Sequence, residues 1–468
     1  MNVAVRILAF SRSGFSWFGG TARRCHVGAL LGLLMVAASV NFARAQGAAP
    51  PDDPARPPGI TQNPTRPSSW TDAEGRSYTR SGVGTWSNYD EAKANPFPLP
   101  DPLVLKNGQP VKDADTWWKQ RRPELLEAFR SQMYGRIPEN TPKITWETGT
   151  PDPSAAGGTA IKRTVVGHID NARYPAASPS IQLTLFTPVG AKGPVPMMVI
   201  VIAGPGGYGA PRPGPVTPSP DPPPGSPLYQ LLAIGWGYGT MEVGPIQNDY
   251  SGGLTSGIIG LMSGGKARNP DDWGALSAWA WGLSRAMDYF ETDKSIDATR
   301  MGIEGHSRYG KAVLLAAALD PRWAIVFPSC SGEGGAKPSR RNWGETVDNV
   351  SSSHWFTPNF HQYAGHWDNL PVDSDELIAL VAPHPVFLNG GTGDAWADPH
   401  GAFLAAVAAG PVYRLLGKKD LGSTVMPAPD TELTSGDIAF RYHAGGHTDV
   451  PDWPAFLQFA QRHLTSPK

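Results

Sequence analysis

Serine 307 stands within Gly305-His306-Ser307-Arg308-Tyr309-Gly310-Lys311. An apolar segment, Met301-Gly302-Ile303, leads into it, and a small-residue run at 312–319 leaves it. That order predicts a strand, a sharp turn and a helix, with the serine at the apex. Such a turn exposes a hydroxyl, and the helix N-terminus behind it favours negative charge. The chemistry on offer is attack on a carbonyl carbon, with the developing oxyanion stabilised beside the nucleophile. The second glycine comes one place later than in G-x-S-x-G, and Arg308 and Lys311 fall in the first helical turn. The competing reading of the same residues is a helix-capping serine before a solvated Arg/Lys face.

A serine hydroxyl needs a base to take its proton. Arg441-Tyr442-His443-Ala444-Gly445-Gly446-His447 supplies one near the C-terminus. His443 should end a strand, and His447, after two glycines, can swing over the sheet edge. The base needs a carboxylate to orient it. Asp394 and Asp398 both lie in Asn389-Gly390-Gly391-Thr392-Gly393-Asp394-Ala395-Trp396-Ala397-Asp398-Pro399. Asp394 comes directly off a strand end and is the favoured acid. Asp398 precedes a proline, a common turn or helix-cap setting. No histidine pair has ligand spacing on one helix, so neither a metal centre nor a cofactor is expected.

These side chains need a scaffold that brings distant segments together. Residues 195–203 form a continuous apolar run, the mark of a buried central strand. Alternation at 160–167 and 180–186 predicts further strands, as do 324–329, 385–389 and 438–443. A helix opens at Asp115-Thr116-Trp117-Trp118, with Leu125, Leu126, Phe129 and Met133 on one face. A second, amphipathic helix spans 272–290, and a closing helix spans 455–464. Strands alternating with helices predict an α/β-hydrolase fold: a three-layer sandwich with a mostly parallel central sheet. The loop Gly204-Pro205-Gly206-Gly207, at the end of the central strand, is either an oxyanion donor or a plain turn. A Pro-rich insertion at 210–227 reads as a surface loop near the cleft.

The chain has 468 residues, 40 basic and 41 acidic, for a net charge of -1. That balance gives no reason to expect nucleic acid or an anionic membrane as partner. Arg23 and Arg24 precede an apolar run at 27–40, and Ala43-Arg44-Ala45 follows, so 1–45 reads as a secretory signal peptide. A Pro-rich N-terminal arm at 46–115 and a catalytic domain at 116–468 should follow. The destination is secreted or periplasmic, and the chain is taken as a monomer. Of the two cysteines, Cys25 lies in the signal, which leaves Cys330 without an internal disulfide partner.

Taken together, these segments resemble the glucuronoyl esterases of carbohydrate esterase family fifteen. The resemblance rests on Gly305 to Lys311, on Ser331 to Gly335 and on Asp394-Ala395-Trp396. It extends to Arg121-Arg122-Pro123-Glu124, Tyr134-Gly135-Arg136 and Leu377-Ile378-Ala379-Leu380-Val381-Ala382-Pro383. It implies cleavage of esters between lignin alcohols and the 4-O-methyl-glucuronate of glucuronoxylan. It also implies Ser307 as nucleophile, His447 as base and Arg308 as oxyanion stabiliser. Lys311 and Glu345 would contact the sugar, and Trp396 would lie against the uronate ring. The sequence departs from the family where many members carry a triad glutamate, since Cys330 stands there. A thiol holds no stable charge at neutral pH unless its pKa is strongly lowered, which moves the acid to Asp394. Glu333 ranks third, after Asp398. A second departure is Ser351-Ser352-Ser353-His354 before Trp355-Phe356, where fungal members carry a sugar-contacting glutamate. Two rivals stay open: an acetyl-xylan esterase or other serine hydrolase, and a weakly catalytic carbohydrate-binding member.

Overall fold

The computed structural model describes residues 69–71, 77–80, 86–94, 97–204 and 221–464. The expected signal peptide, the start of the arm, most of the 204–207 glycine loop and most of the Pro-rich insertion lie outside the described residues.

Three short strands, Ser69–Thr71 (β1), Ser77–Arg80 (β2) and Trp86–Ser87 (β3), pair antiparallel in the arm. Ten more strands form the main sheet. They are Ile144–Thr148 (β4), Ala160–Ile169 (β5), Ser180–Pro188 (β6), Val195–Ile202 (β7), Gly237–Glu242 (β8), Ile296–His306 (β9), Ile325–Ser329 (β10), Val386–Gly391 (β11), Thr431–Leu433 (β12) and Ile438–His443 (β13). Their spatial order is β12-β13-β11-β10-β9-β7-β8-β6-β5-β4.

The sheet has two characters. From β8 through β7, β9, β10 and β11 to β13 every pairing is parallel. The other four pairings, toward β4 on one side and to β12 on the other, are antiparallel. Sequence pattern tracks this division. β7 is an unbroken apolar run because both its faces are covered. Met197, Val199 and Val201 enter one core cluster, while Met198 enters the other. Strands β5 and β6 alternate, as half-covered antiparallel strands do.

Helices fill the two outer layers. Ala275–Phe290 (α1), Arg308–Leu319 (α2), Ser374–Val381 (α3) and Pro399–Leu415 (α4) contribute to the larger cluster, and Trp453–Leu464 (α5) to the smaller. On that side Phe456 stacks on Phe327 at 4.9 Å between ring centroids. Helix α1 departs from the amphipathic expectation. Leu276, Ala280, Leu283, Met287 and Phe290 are buried, but so are Ala278, Trp279 and Trp281. Its first turn is sealed by the 354–355 segment, whose carbonyls accept from Ala275 and Leu276 N–H. The helix expected from Asp115 is broken by wide π-type turns at Trp117–Arg121 and Arg130–Tyr134. Leu125, Phe129 and Met133 are still buried on its inner side, and Leu126 is half-buried.

From Trp86 onward the arm is fastened to the body. Asn88 donates to the Asn342 carbonyl at 2.8 Å, and Glu91 pairs with Arg341 at 2.6 Å. Among the described residues no helix is long and apolar enough to cross a membrane.

Candidate active site

The turn at Ser307 has φ 60° and ψ −125°, a region that residues with a Cβ rarely occupy. The structure holds it there. Ser307 N–H donates to the Ser329 carbonyl at 2.8 Å, and α2 begins at the next residue. The two glycines explain the lengthened motif. A Cβ on Gly305 would sit 2.4 Å from the Tyr309 carbonyl oxygen, and one on Gly310 would sit 2.8 Å from that of Ser329. Both positions let α2 lie directly on its strand and on the neighbouring β10. Gly310 therefore serves helix packing, while the extra residue leaves Arg308 and Lys311 on the first turn.

Four adjacent parallel strands end at the site, the edge where open α/β sheets carry their ligands. Ser307 follows β9, Cys330 follows β10, Asp394 lies three residues past β11, and His447 four past β13. His447 Nδ1 is 2.7 Å from Asp394 Oδ2. Its ring lies 4.4 Å from that of His306, the residue before the serine. The acid loop and the histidine loop are knitted together by backbone bonds, Thr392 N–H to the His443 carbonyl and Gly393 N–H to the Gly445 carbonyl. Burial, followed by the neighbouring His447, lowers the pKa of His306. A neutral His306 adds no positive charge beside His447.

The carboxylates considered from sequence separate clearly. Asp398 caps α4, accepting from Gly401 N–H at 3.0 Å, and binds Arg341 at 2.8 Å. Glu333 is buried against Lys337 at 3.1 Å and the Ser339 hydroxyl. Neither touches His447. Cys330 is buried, and its thiol donates to the Thr448 carbonyl at 3.7 Å. Burial first, and then the Asp394 carboxylate, push the thiol pKa well up, so Cys330 carries no charge. Among the described residues, one group could hold a metal ion: Cys330, Asp394 and His447, whose ligand atoms all lie within 4.8 Å of one another.

Around this core stand two further polar assemblies. Arg308 reaches Asp249 at 3.1 Å and covers the Trp355 ring at 4.7 Å. The same aspartate accepts from Trp355 Nε1 at 2.8 Å and lies 2.8 Å from His354 Nε2. Burial raises the pKa of Asp249, but His354, Arg308 and Trp355 together outweigh it and hold the group below its ordinary value. Lys311 and Glu345 form a buried pair at 2.7 Å, and Lys311 also donates to the Ser331 carbonyl. Glu345 N–H donates to the carbonyl of half-buried Trp396. The structure thus joins Lys311, Glu345 and Trp396 in one chain of contacts. Asp249 escaped the sequence reading because nothing local marks it. The His354-Trp355 pair was visible only as a departure from the family pattern.

An elbow serine at the C-terminal edge of a parallel sheet with helices on both faces defines an α/β-hydrolase fold. The comparisons narrow the class. The family model for fungal glucuronyl esterases matches residues 268–417. A carbohydrate esterase of an unknown prokaryotic organism is 36% identical over 407 residues, covering 81% of this chain and 92% of its own. A 4-O-methyl-glucuronoyl methylesterase of Schizophyllum commune is 29% identical over 331 residues, covering 68% of this chain and 74% of its own. Among solved structures, a glucuronoyl esterase of Teredinibacter turnerae superposes with TM-score 0.74 at 37% identity, covering 82% of this chain and 94% of its own. One from Solibacter usitatus gives 0.72 at 36%, covering 80% of this chain and all of its own. The chain belongs to the glucuronoyl esterases of carbohydrate esterase family fifteen, and is a carboxylic ester hydrolase.

Proposed function

We propose that this chain is a secreted or periplasmic serine esterase. It cleaves the ester between a lignin alcohol and the 4-O-methyl-glucuronate of glucuronoxylan. Ser307 Oγ attacks the uronate carbonyl carbon while His447 takes its proton. The oxyanion is stabilised by Arg308 and by the N-terminal end of α2. His447 then protonates the departing alcohol, leaving Ser307 acylated. Water, deprotonated by His447, attacks the acyl group and releases the uronate and the serine. Asp394 holds the imidazole in the tautomer with hydrogen on Nδ1 and stabilises the imidazolium.

The observation that carries this reading is the 2.7 Å contact of His447 with Asp394 beside the strained elbow. The substrate class draws support from relatives named 4-O-methyl-glucuronoyl methylesterases. It also suits the local charges. A uronate ester is neutral, and only the released product is an anion. Arg308 and Lys311 each already have a carboxylate partner. They can donate hydrogen bonds to a polar sugar with less tendency to hold the product carboxylate. In this reading Lys311, Glu345 and Trp396 border the sugar subsite, and residues 1–45 are the export signal.

The test is hydrolysis of benzyl glucuronate by wild type and Ser307→Ala. The expected loss in kcat is about 10⁴-fold or more, with the melting temperature kept. Full activity in the variant would remove the serine mechanism. Methyl glucuronate, acetylated xylan and a peptide anilide, run side by side, separate the uronate reading from other serine hydrolases.

A further inference from the structure

The thiol of Cys330 has no part in the mechanism above, yet it lies against both members of the His447–Asp394 pair. A thiol, an imidazole and a carboxylate, the three side-chain ligand types of zinc, converge there from three separate strand ends. One ligand atom from each lies within 4.8 Å of the other two. In a tetrahedral zinc site, with bonds of about 2.0 to 2.3 Å, ligand atoms stand about 3.3 to 3.6 Å apart. No pair therefore needs to close by more than about 1.5 Å, and the 2.7 Å contact between His447 and Asp394 must open by about half an ångström. Side-chain rotation can supply both. Cys330 and Asp394 are buried, while the His447 side chain is 38% exposed. Access is therefore from the His447 side, where a water or chloride could complete the coordination shell.

We infer that Cys330, Asp394 and His447 form a site for a thiophilic divalent cation of the zinc and cadmium type, and that occupancy shuts the esterase off. This rests on the proposed roles of His447 and Asp394 for its effect on activity, but not for binding itself. The cation takes the place of the proton between His447 Nδ1 and Asp394: the thiol proton leaves to solvent, and the imidazole stays neutral with its one ring hydrogen on Nε2 instead of Nδ1. An imidazole bound through Nδ1 is no longer aligned by Asp394 and cannot accept the serine proton as a base should. Hard cations such as magnesium and calcium have little affinity for thiolate and imidazole, so they leave the rate unchanged.

The experiment uses the full chain and two readouts. The first is the ultraviolet thiolate-to-cadmium charge-transfer band, followed by calorimetry for stoichiometry, in Ser307→Ala protein. One Cd²⁺ per chain and a new band are expected, both lost when Cys330→Ser is added. The second is zinc inhibition of ester hydrolysis, each variant being referred to its own metal-free rate. Cys330→Ser and Cys330→Ala are expected to raise the half-inhibiting Zn²⁺ concentration at least tenfold. Both are measured because Cys330 sits at φ 44°, and circular dichroism confirms that each is folded. Absence of the band in folded Ser307→Ala protein overturns the site, as does zinc inhibition unchanged by either cysteine variant. A cadmium band in Ser307→Ala protein, together with wild type that hydrolyses no uronate ester, would uphold the site and sink the functional reading instead.

Discussion

Two His–Asp pairs carry their histidines four residues apart, one at the end of β13 and one on the loop after it, and they are built for different work. His447 and Asp394 meet at 2.7 Å, with the histidine side chain 38% exposed. His443 and Asp452 meet at 2.9 Å, with both side chains fully buried. The second nitrogen of His443 faces the Gly446 carbonyl at 3.1 Å, so the loop itself occupies it. Asp452 also binds Arg441 Nε at 2.9 Å and the Asn389 amide. Asn389 in turn accepts the Cys330 N–H at 2.9 Å. The buried pair therefore ties together the strand ends that carry Cys330, Asp394 and His447. Residue type is the same in both pairs. Exposure, and whether the loop occupies the second ring nitrogen, make one a candidate for proton transfer and the other a clamp.

Exchanging each aspartate for asparagine should pull the two pairs apart most strongly. Asp394→Asn leaves the imidazole free to adopt the wrong tautomer, and kcat on benzyl glucuronate should fall about 10³- to 10⁴-fold. Asp452→Asn removes one partner of a buried pair and should cost about 3 kcal/mol of unfolding free energy. Its kcat per folded molecule should stay within about tenfold of wild type. Urea denaturation alongside steady-state kinetics checks both. If Asp452→Asn lost its turnover while keeping its stability, the distinction between working pair and clamp would collapse.

That distinction was only half legible in the sequence. That Ser307, His447 and Asp394 would come together could be expected because each follows a predicted strand in the order this fold uses, and glycines mark the turns. The fold was readable for a similar reason: β7 is apolar without interruption, while β5 and β6 alternate. Asp398 stood only four residues from Asp394, and the proline after it already marked it as a helix-cap candidate, which is where the structure places it. Its contact with Arg341 spans 57 residues. Asp452 and Asp249 were invisible because their roles come from contacts with distant segments. Asp249 meets Arg308 across 59 residues and His354 across 105. The sheet was expected to be mostly parallel, but which strands run antiparallel was not legible, since alternation marks a half-covered strand and not its direction.

Asp249 offers a smaller test, on the cation beside Ser307. It holds Arg308 from one side while the Trp355 ring supports it from the other. Asp249→Asn keeps the shape and a hydrogen-bond acceptor but removes the charge that fixes the guanidinium. A displacement of the order of 1 Å at an oxyanion group costs up to about 100-fold. The expected loss is therefore about 10- to 100-fold in kcat with KM little changed, because the interaction grows in the transition state. A rise in KM with kcat intact would make Asp249 part of substrate binding instead.

The finest test concerns the charge on the clamp. Burial lowers the pKa of His443, but Asp452 and the Gly446 carbonyl together outweigh it and raise the group above the ordinary 6.5. A histidine raised on folding stabilises the native state fully below its unfolded pKa, and that stability is lost as pH rises through the folded value. His443→Asn keeps a donor able to reach Asp452 but cannot titrate. The melting-temperature gap between wild type and His443→Asn should therefore be widest near pH 5.5 and narrow steadily above neutrality. Each kcal/mol moves the melting temperature of a chain this size by only about two degrees or less, so scanning calorimetry across the pH range reads the trend. A gap that stays flat from acid to alkaline pH would show that His443 clamps the loop as a neutral ring, leaving Arg441 and Asn389 to balance Asp452.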